Sequence, residues 1–272
     1  MRRPAEPGPR PADTVALGLL QGPAELLPVS STAHVELIGS RLAGYARLGA
    51  PARKELAVAL HAGSAAALAA GGPPGLERLG LLAVATAPAA LAGFALEGPI
   101  ERRLSAPGAM AAGLVAGSVA LVAADRAPQR RAAGDAGLAD ALWLGLAQAA
   151  ALAPGVSRSG AVRSAARARG FTRAAAAELA LEMALPVLAG ATALKGARLA
   201  ARRPGTRELA ALGAGAVAAA VSTAAVRALV RRGEPPAAVW AAYRIALAGV
   251  LVGSRQAAAR ATDRAVRHNG RR

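Results

Sequence analysis

Cysteine is absent from the 272 residues, which excludes disulfides and thiolate metal sites. Aromatic residues are almost as scarce, at 2% of the chain. A water-soluble core of this length normally draws on aromatic and branched side chains for bulk. Here 54% of residues are hydrophobic, the mean hydropathy is +0.35, and Ala, Leu, Val and Gly dominate. Small residues of this kind let helices approach closely in lipid. Lysine occurs only at Lys54 and Lys195, so the basic residues are nearly all arginine, and single Ala or Arg positions carry little information.

The formal net charge of +17 would suit a nucleic-acid binder if the arginines formed one stripe. Instead they flank or interrupt apolar runs, at Arg102 and Arg103, Arg130 and Arg131, Arg202 and Arg203, and Arg231 and Arg232. Loop charges of a polytopic membrane protein are placed this way, so nucleic acid is not expected as a partner. Arg2, Arg3 and Arg10 precede an apolar stretch that soon meets Pro23 and Glu25 without a cleavage site, unlike a signal peptide.

Four uncharged stretches, residues 56–76, 79–96, 104–124 and 209–226, approach the roughly 20 residues needed to cross a bilayer core. A fifth, 235–254, is broken only by Arg244, and a sixth, 174–194, contains Glu178 and Glu182. Charges at such depth need a reason. Two shorter apolar segments, 14–35 and 141–162, are broken by Pro, Gly and Ser, and they resemble each other. Gly18-Leu-Leu-Gln21 and Pro28-Val-Ser30-Ser31 in the first answer Gly145-Leu-Ala-Gln148 and Pro154-Gly-Val-Ser157-Arg158-Ser159 in the second, with one residue of slippage. Downstream, Glu55-Leu-Ala answers Glu178-Leu-Ala.

Paired interrupted segments in two halves point to a midplane site built from broken helices, because irregular backbone at that depth survives only where protein or water covers it. The expected architecture is therefore one all-α integral membrane domain over 1–272: about six spanning helices plus two re-entrant hairpins in an inverted-topology repeat. The halves run over about 13–125 and 138–254, and a basic tail, 255–272, lies on the membrane surface or is disordered. The plainer alternative is a set of Pro-kinked spanning helices with serines packed between them; the duplication argues against it.

Gln21, Glu25, Ser30, Ser31, Thr32 and His34 crowd into one apolar segment. Gln21 and Glu25 share a helical face, and Pro28 breaks the turn beside the hydroxyls. A carboxylate, hydroxyls and an imidazole can together hold a cation, supply a nucleophile and move a proton. The second segment adds a fixed positive charge in Pro154-Gly-Val-Ser157-Arg158-Ser159-Gly160. Arg158 can fork onto phosphate oxygens, Ser157 and Ser159 can donate hydrogen bonds, and the glycines allow close backbone approach. Ser30 and Thr32 are equally readable as helix-capping hydroxyls.

These residues resemble the bacterial undecaprenyl-diphosphatase family of the bacitracin-resistance type. Gln21-Gly-Pro-Ala-Glu25-Leu-Leu-Pro28-Val-Ser30-Ser31-Thr32-Ala-His34 is similar to that family's first motif and the Ser157-Arg158-Ser159 loop to its second, with likeness continuing through Glu178, Ala184-Leu-Pro186, Gly190-Ala-Thr192 and Tyr243-Arg244. The resemblance implies the same fold, in a bacterial plasma membrane, with the site open to the outer leaflet. It implies hydrolysis of undecaprenyl diphosphate to undecaprenyl phosphate and inorganic phosphate, aided by a divalent cation, Mg2+ or Ca2+, and it admits a homodimer. By position, Ser31 is the favoured nucleophile, His34 the proton-transfer group, Glu25 the metal ligand or base, and Arg158 the phosphate clamp. Gln21, Ser30, Thr32, Ser157, Ser159 and Gly160 then contact substrate. Attack by water with Glu25 as base is the competing mechanism. The competing function is a flippase for undecaprenyl phosphate with little or no hydrolysis. The other superfamily of lipid phosphatases fits poorly, since no His follows Arg158 before His268.

Three positions depart from the family pattern. Gln21 stands at an acidic position, Val162 where a phosphate-facing Thr is usual, and Glu182 at an aliphatic position, as a compensating carboxylate or a partner for a loop arginine. Arg158 itself has a structural alternative, pairing with Glu25 or Glu182.

Overall fold

The computed structural model describes the backbone of residues 8–72, 75–104 and 106–269, and side chains to residue 254 apart from Glu97 and Glu101. The described chain is helical throughout, as expected of an all-α membrane protein. Helix α1 (Pro11–Leu26) starts on a proline, where a missing N–H costs nothing. The chain leaves it at Leu27 and re-enters helix as α2 (Ser31–Gly39). A short α3 (Ala43–Ala46) leads into α4 (Ala50–Ala69), α5 (Leu76–Leu104) and α6 (Pro107–Asp125). The second half follows with α7 (Leu138–Ala150), α8 (Arg158–Ala168), α9 (Arg173–Ala201), α10 (Thr206–Val230) and α11 (Ala237–Asn269). The disposition expected for the tail concerns side chains outside the description; its backbone continues α11 as far as Asn269.

Helices α1 with α2 and α7 with α8 are the two interrupted segments. Each break ends on a serine with positive φ, Ser30 at 75° and Ser157 at 61°, and each serine directly precedes the second helix of its pair. The backbone thus matches Ser30 to Ser157 without slippage from Gly18 and Gly145. Packing repeats in the same sense. Helix α1 lies against α10 as α7 lies against α5, while α4 packs on α9 and α6 on α11. Glycines set the closest approaches: a Cβ at Gly18 would lie 2.4 Å from the Gly215 carbonyl oxygen, and one at Gly145 would lie 2.6 Å from that of Ala85. Backbones in contact are how small residues bind helices in lipid.

Among the described residues, five helices are long and apolar enough to cross a membrane: Leu76–Leu96, Pro107–Asp125, Arg173–Ala201, Thr206–Val230 and Ala237–Ser254. Their outer faces carry exposed Leu91, Phe94, Val119 and Val217, an apolar surface that suits acyl chains rather than water. One expected span, 56–76, differs. Its helix is α4, which runs from Ala50 to Ala69 with Arg53, Lys54 and Glu55 in its first two turns, so it has a span's length but a polar end. That end faces the candidate site.

Candidate active site

Glu25 sits in the last turn of α1, buried at 7% exposure. Gln21, one turn earlier, donates from Nε2 to Glu25 Oε2 at 3.4 Å. Arg158, the first residue of α8, donates to the other oxygen, Oε1, from Nε at 3.3 Å and from Nη2 at 3.0 Å. Ser31, opening α2, lies beside Glu25, and His61 on α4 brings Nε2 to 3.8 Å from Oε2. Four helices from both halves therefore converge on one carboxylate. A buried carboxylate is tolerated when charge and hydrogen bonds compensate it, and here Arg158 supplies the charge.

His34, expected beside Glu25 and Ser31, lies one turn beyond Ser31 on α2. Its Nδ1 is 2.7 Å from the Ser30 carbonyl oxygen, and its Nε2 is 2.6 Å from the Tyr243 hydroxyl. The two rings stack, with centroids 5.7 Å apart and planes 5° from parallel. Both imidazole nitrogens are thus engaged, and the imidazole beside Glu25 is that of His61.

The second loop is stitched to the first by three consecutive carbonyls at the end of α1, groups a helix terminus leaves without internal partners. Arg163 Nη1 donates to Leu26 at 3.0 Å, Ser159 Oγ to Leu27 at 2.6 Å, and Arg244 Nη1 to Pro28 at 3.1 Å. Arg244 is completely buried and donates from Nη2 to the carbonyls of Gly155 and Val156. A Cβ at Gly160 would lie 2.6 Å from its Nη1, so that glycine makes room for a guanidinium. Ser157 caps α8, its Oγ accepting from the Gly160 N–H at 3.3 Å. Ser159 and Gly160, expected to contact phosphate, thus hold the hairpins together.

Val162 is fully buried in an apolar cluster with Phe171 and Met183. Glu182 accepts from Arg78 Nε at 2.7 Å, which leaves Glu25 as the carboxylate that pairs with Arg158.

Gln21, Ser31, Thr32 and His61 line a cavity of about 230 Å³ with Arg53 and Lys54 at the start of α4. Arg53 is braced by the Leu48 and Ala46 carbonyls and lies over the Tyr45 ring. The cavity brings hydroxyls, an amide and cations together beside a carboxylate, a set suited to a phosphorylated ligand. Sequence reasoning missed His61, Tyr243 as its neighbour's partner, and Arg163. A histidine inside an otherwise uncharged apolar run was the available signal for His61.

Residues 74–250 match the family model of bacitracin resistance protein BacA. Proteins named undecaprenyl-diphosphatase align over most of the chain. One from Geobacter metallireducens is 37% identical over 271 residues, covering 89% of this chain and 97% of its own. One from Acidiphilium cryptum is 38% identical over 239 residues, covering 76% and 85%, and one from Geobacter sulfurreducens is 37% identical over 262 residues, covering 87% and 95%.

Proposed function

Because the chain belongs to the family of bacitracin resistance protein BacA, we infer that it is an undecaprenyl-diphosphatase of the bacterial plasma membrane. It hydrolyses undecaprenyl diphosphate to undecaprenyl phosphate and inorganic phosphate. The observation that carries this reading to particular atoms is the Glu25–Arg158 pair, 3.0 Å across the two hairpins and beside Ser31.

In the absence of substrate the two charges satisfy each other. An arriving diphosphate offers Arg158 a planar array of oxygens that a guanidinium fork matches, and the exchange releases Glu25 to act as base. Ser31 Oγ then forms a bond to the terminal phosphorus as its proton passes to Glu25. The bond from that phosphorus to the bridging oxygen breaks, and its electron pair leaves with undecaprenyl phosphate. Water subsequently hydrolyses the phosphoserine, giving inorganic phosphate and free Ser31. Direct attack by water, with Glu25 taking its proton, is the second course the same geometry supports. His34, fixed by Ser30 and Tyr243, holds α2 in register beneath Ser31 and exchanges protons with Tyr243.

A divalent cation, Mg2+ or Ca2+, belongs to this reading. Among the described residues no group of three His, Asp or Glu forms a preassembled metal cage, but hard cations of this kind need only one or two carboxylates with phosphate oxygens and water. Gln21 and the Ser31 and Thr32 hydroxyls are oxygen donors on one cavity, and Glu25 hydrogen-bonds to that Gln21; together they would hold it. When bound, it neutralises charge on the diphosphate. The repeat is read as inverted, with α1 and α2 entering from one face and α7 and α8 from the other.

Phosphate release from undecaprenyl diphosphate by the purified protein tests the activity. Lipid bound without phosphate released would overturn it in favour of transport.

A further inference from the structure

A cavity of about 660 Å³ contains none of the groups gathered around Glu25. Leu68 and Gly71 line it where α4 ends, whereas Leu56, Leu60 and His61 line the smaller one. Leu56 and Leu68 are about 18 Å apart along the helix at 1.5 Å per residue, so the two cavities open at opposite ends of α4.

Its charges are unbalanced. Arg227, Arg231 and Arg232 line it, and among the described residues no carboxylate pairs with any of them. Arg227 reaches only the Ala67 and Leu68 carbonyls, at 3.4 Å each, and feels like-charge repulsion from Arg231. Of the carboxylates on the wall, Glu182 is held by Arg78 and Glu234 by Arg163. Only Glu178 remains to offset the three arginines. Polarity is graded with depth. Arg231, Arg232 and Gly233 lie at the turn beyond α10, while Leu181 and Leu185 lie two to three turns into α9. Cations at the helix ends above an apolar floor match the profile of one bilayer leaflet.

We propose that this cavity binds an anionic phospholipid, with the headgroup phosphate among Arg227, Arg231 and Arg232 and an acyl chain along Leu181 and Leu185. Guanidinium groups recognise phosphate oxygens in pairs, and a lipid phosphate supplies the negative charge that the protein leaves out. The site is separate from that of the diphosphate.

Native mass spectrometry of the full-length protein, incubated with phosphatidylglycerol or phosphatidylcholine, reads out retained lipid. Each arginine beside an anionic headgroup is worth a factor of about five, so phosphatidylglycerol should be retained at least about tenfold better. R231Q/R232Q should abolish that preference and Arg158→Ala should leave it intact. Should the double variant fail to fold, added NaCl should erode the preference in the unaltered protein. Equal retention of the two lipids, or a preference that survives in R231Q/R232Q or at high salt, would overturn the proposal. So would inorganic phosphate that binds saturably at the same arginines while phosphatidylglycerol is not retained, because the site would then serve the free ion.

Discussion

Arg158 places both Nε and Nη2 on a single oxygen of Glu25, so the cation of one hairpin and the carboxylate of the other are engaged before any substrate arrives. The pair crosses 133 positions of sequence and joins the two halves at their most polar point. Replacing Arg158 with Lys keeps the charge and loses the fork. Hydrolysis should fall by roughly 10²- to 10³-fold, as when a positioned donor to developing charge is removed, while the protein stays folded in detergent. Phosphate release and thermal unfolding measured together check this. An Arg158→Ala protein that unfolds would move Arg158 from clamp to structural pair.

Glu25→Gln removes a buried anion from beside two partly buried cationic or polar partners, Arg158 and His61. Breaking a buried pair from one side costs about 3–5 kcal/mol. The variant should unfold at lower temperature and lose turnover together. An active Glu25→Gln protein would exclude both the base and the ligand role.

Chelation should stop phosphate release without unfolding the protein, because the fold holds no preassembled metal cage among the described residues. Re-adding Mg2+ or Ca2+ should restore it. Turnover unchanged in excess chelator would remove the cation from the reading.

Tyr243→Phe keeps the ring stacked on His34 and deletes the hydroxyl 2.6 Å from Nε2. Losing such a second partner of a site imidazole typically costs 10- to 100-fold in metal centres, and a loss near the lower end, about tenfold in kcat, is expected here. KM should change little, since Tyr243 is not among the residues lining the substrate cavity.

Asp140, in the first turn of α7, lies outside the spans and accepts a bidentate pair from Arg131, at 3.0 and 2.6 Å, and a bond from Arg169. Hydrogen bonding from Arg131 first, then from the Gly137 N–H and Arg169, outweighs burial and holds its carboxyl well below its ordinary value of 3.8. A depressed carboxyl stabilises the fold fully above that ordinary value and loses its contribution as pH falls beneath it. Wild type should therefore lose stability steeply below about pH 4. Asp140→Asn should be less stable at neutral pH, with a shallower acid limb in thermal unfolding.

The hairpins were legible because their cost is written in the sequence. Pro28 beside Ser30 and Ser31, and Gly155 beside Ser157, cannot sit in lipid without a partner, and their repetition marks two equivalent places. Arg158 with Glu25 was legible only as one of two pairings, because a motif names residue types and not the carboxylate that ends up 3.0 Å away. The contacts that Ser159 and Gly160 make across the hairpins were not legible for a related reason. Hydroxyl and glycine suit a phosphate loop and a helix contact equally, and only the Leu27 carbonyl and the Arg244 guanidinium decide between them. The span read at 56–76 was overestimated at its end and underestimated at its start, because Arg53, Lys54 and Glu55 read as loop charge while the fold keeps them in α4.

The contact between α1 and α10 also bears on how force moves through the protein. Gly18 meets Gly215 backbone to backbone, and Ser222 Oγ both donates to the Gly18 carbonyl and accepts from the Gly22 N–H. The side chains at these points, Ala218 and Ser222, are too short to slide or repack. The helix carrying Gln21 and Glu25 is therefore geared to a full-length span whose outer face, at Val217 and Val221, is exposed and apolar. Any displacement of α10 at these points must carry the helix of the carboxylate with it, so the two move as one lever.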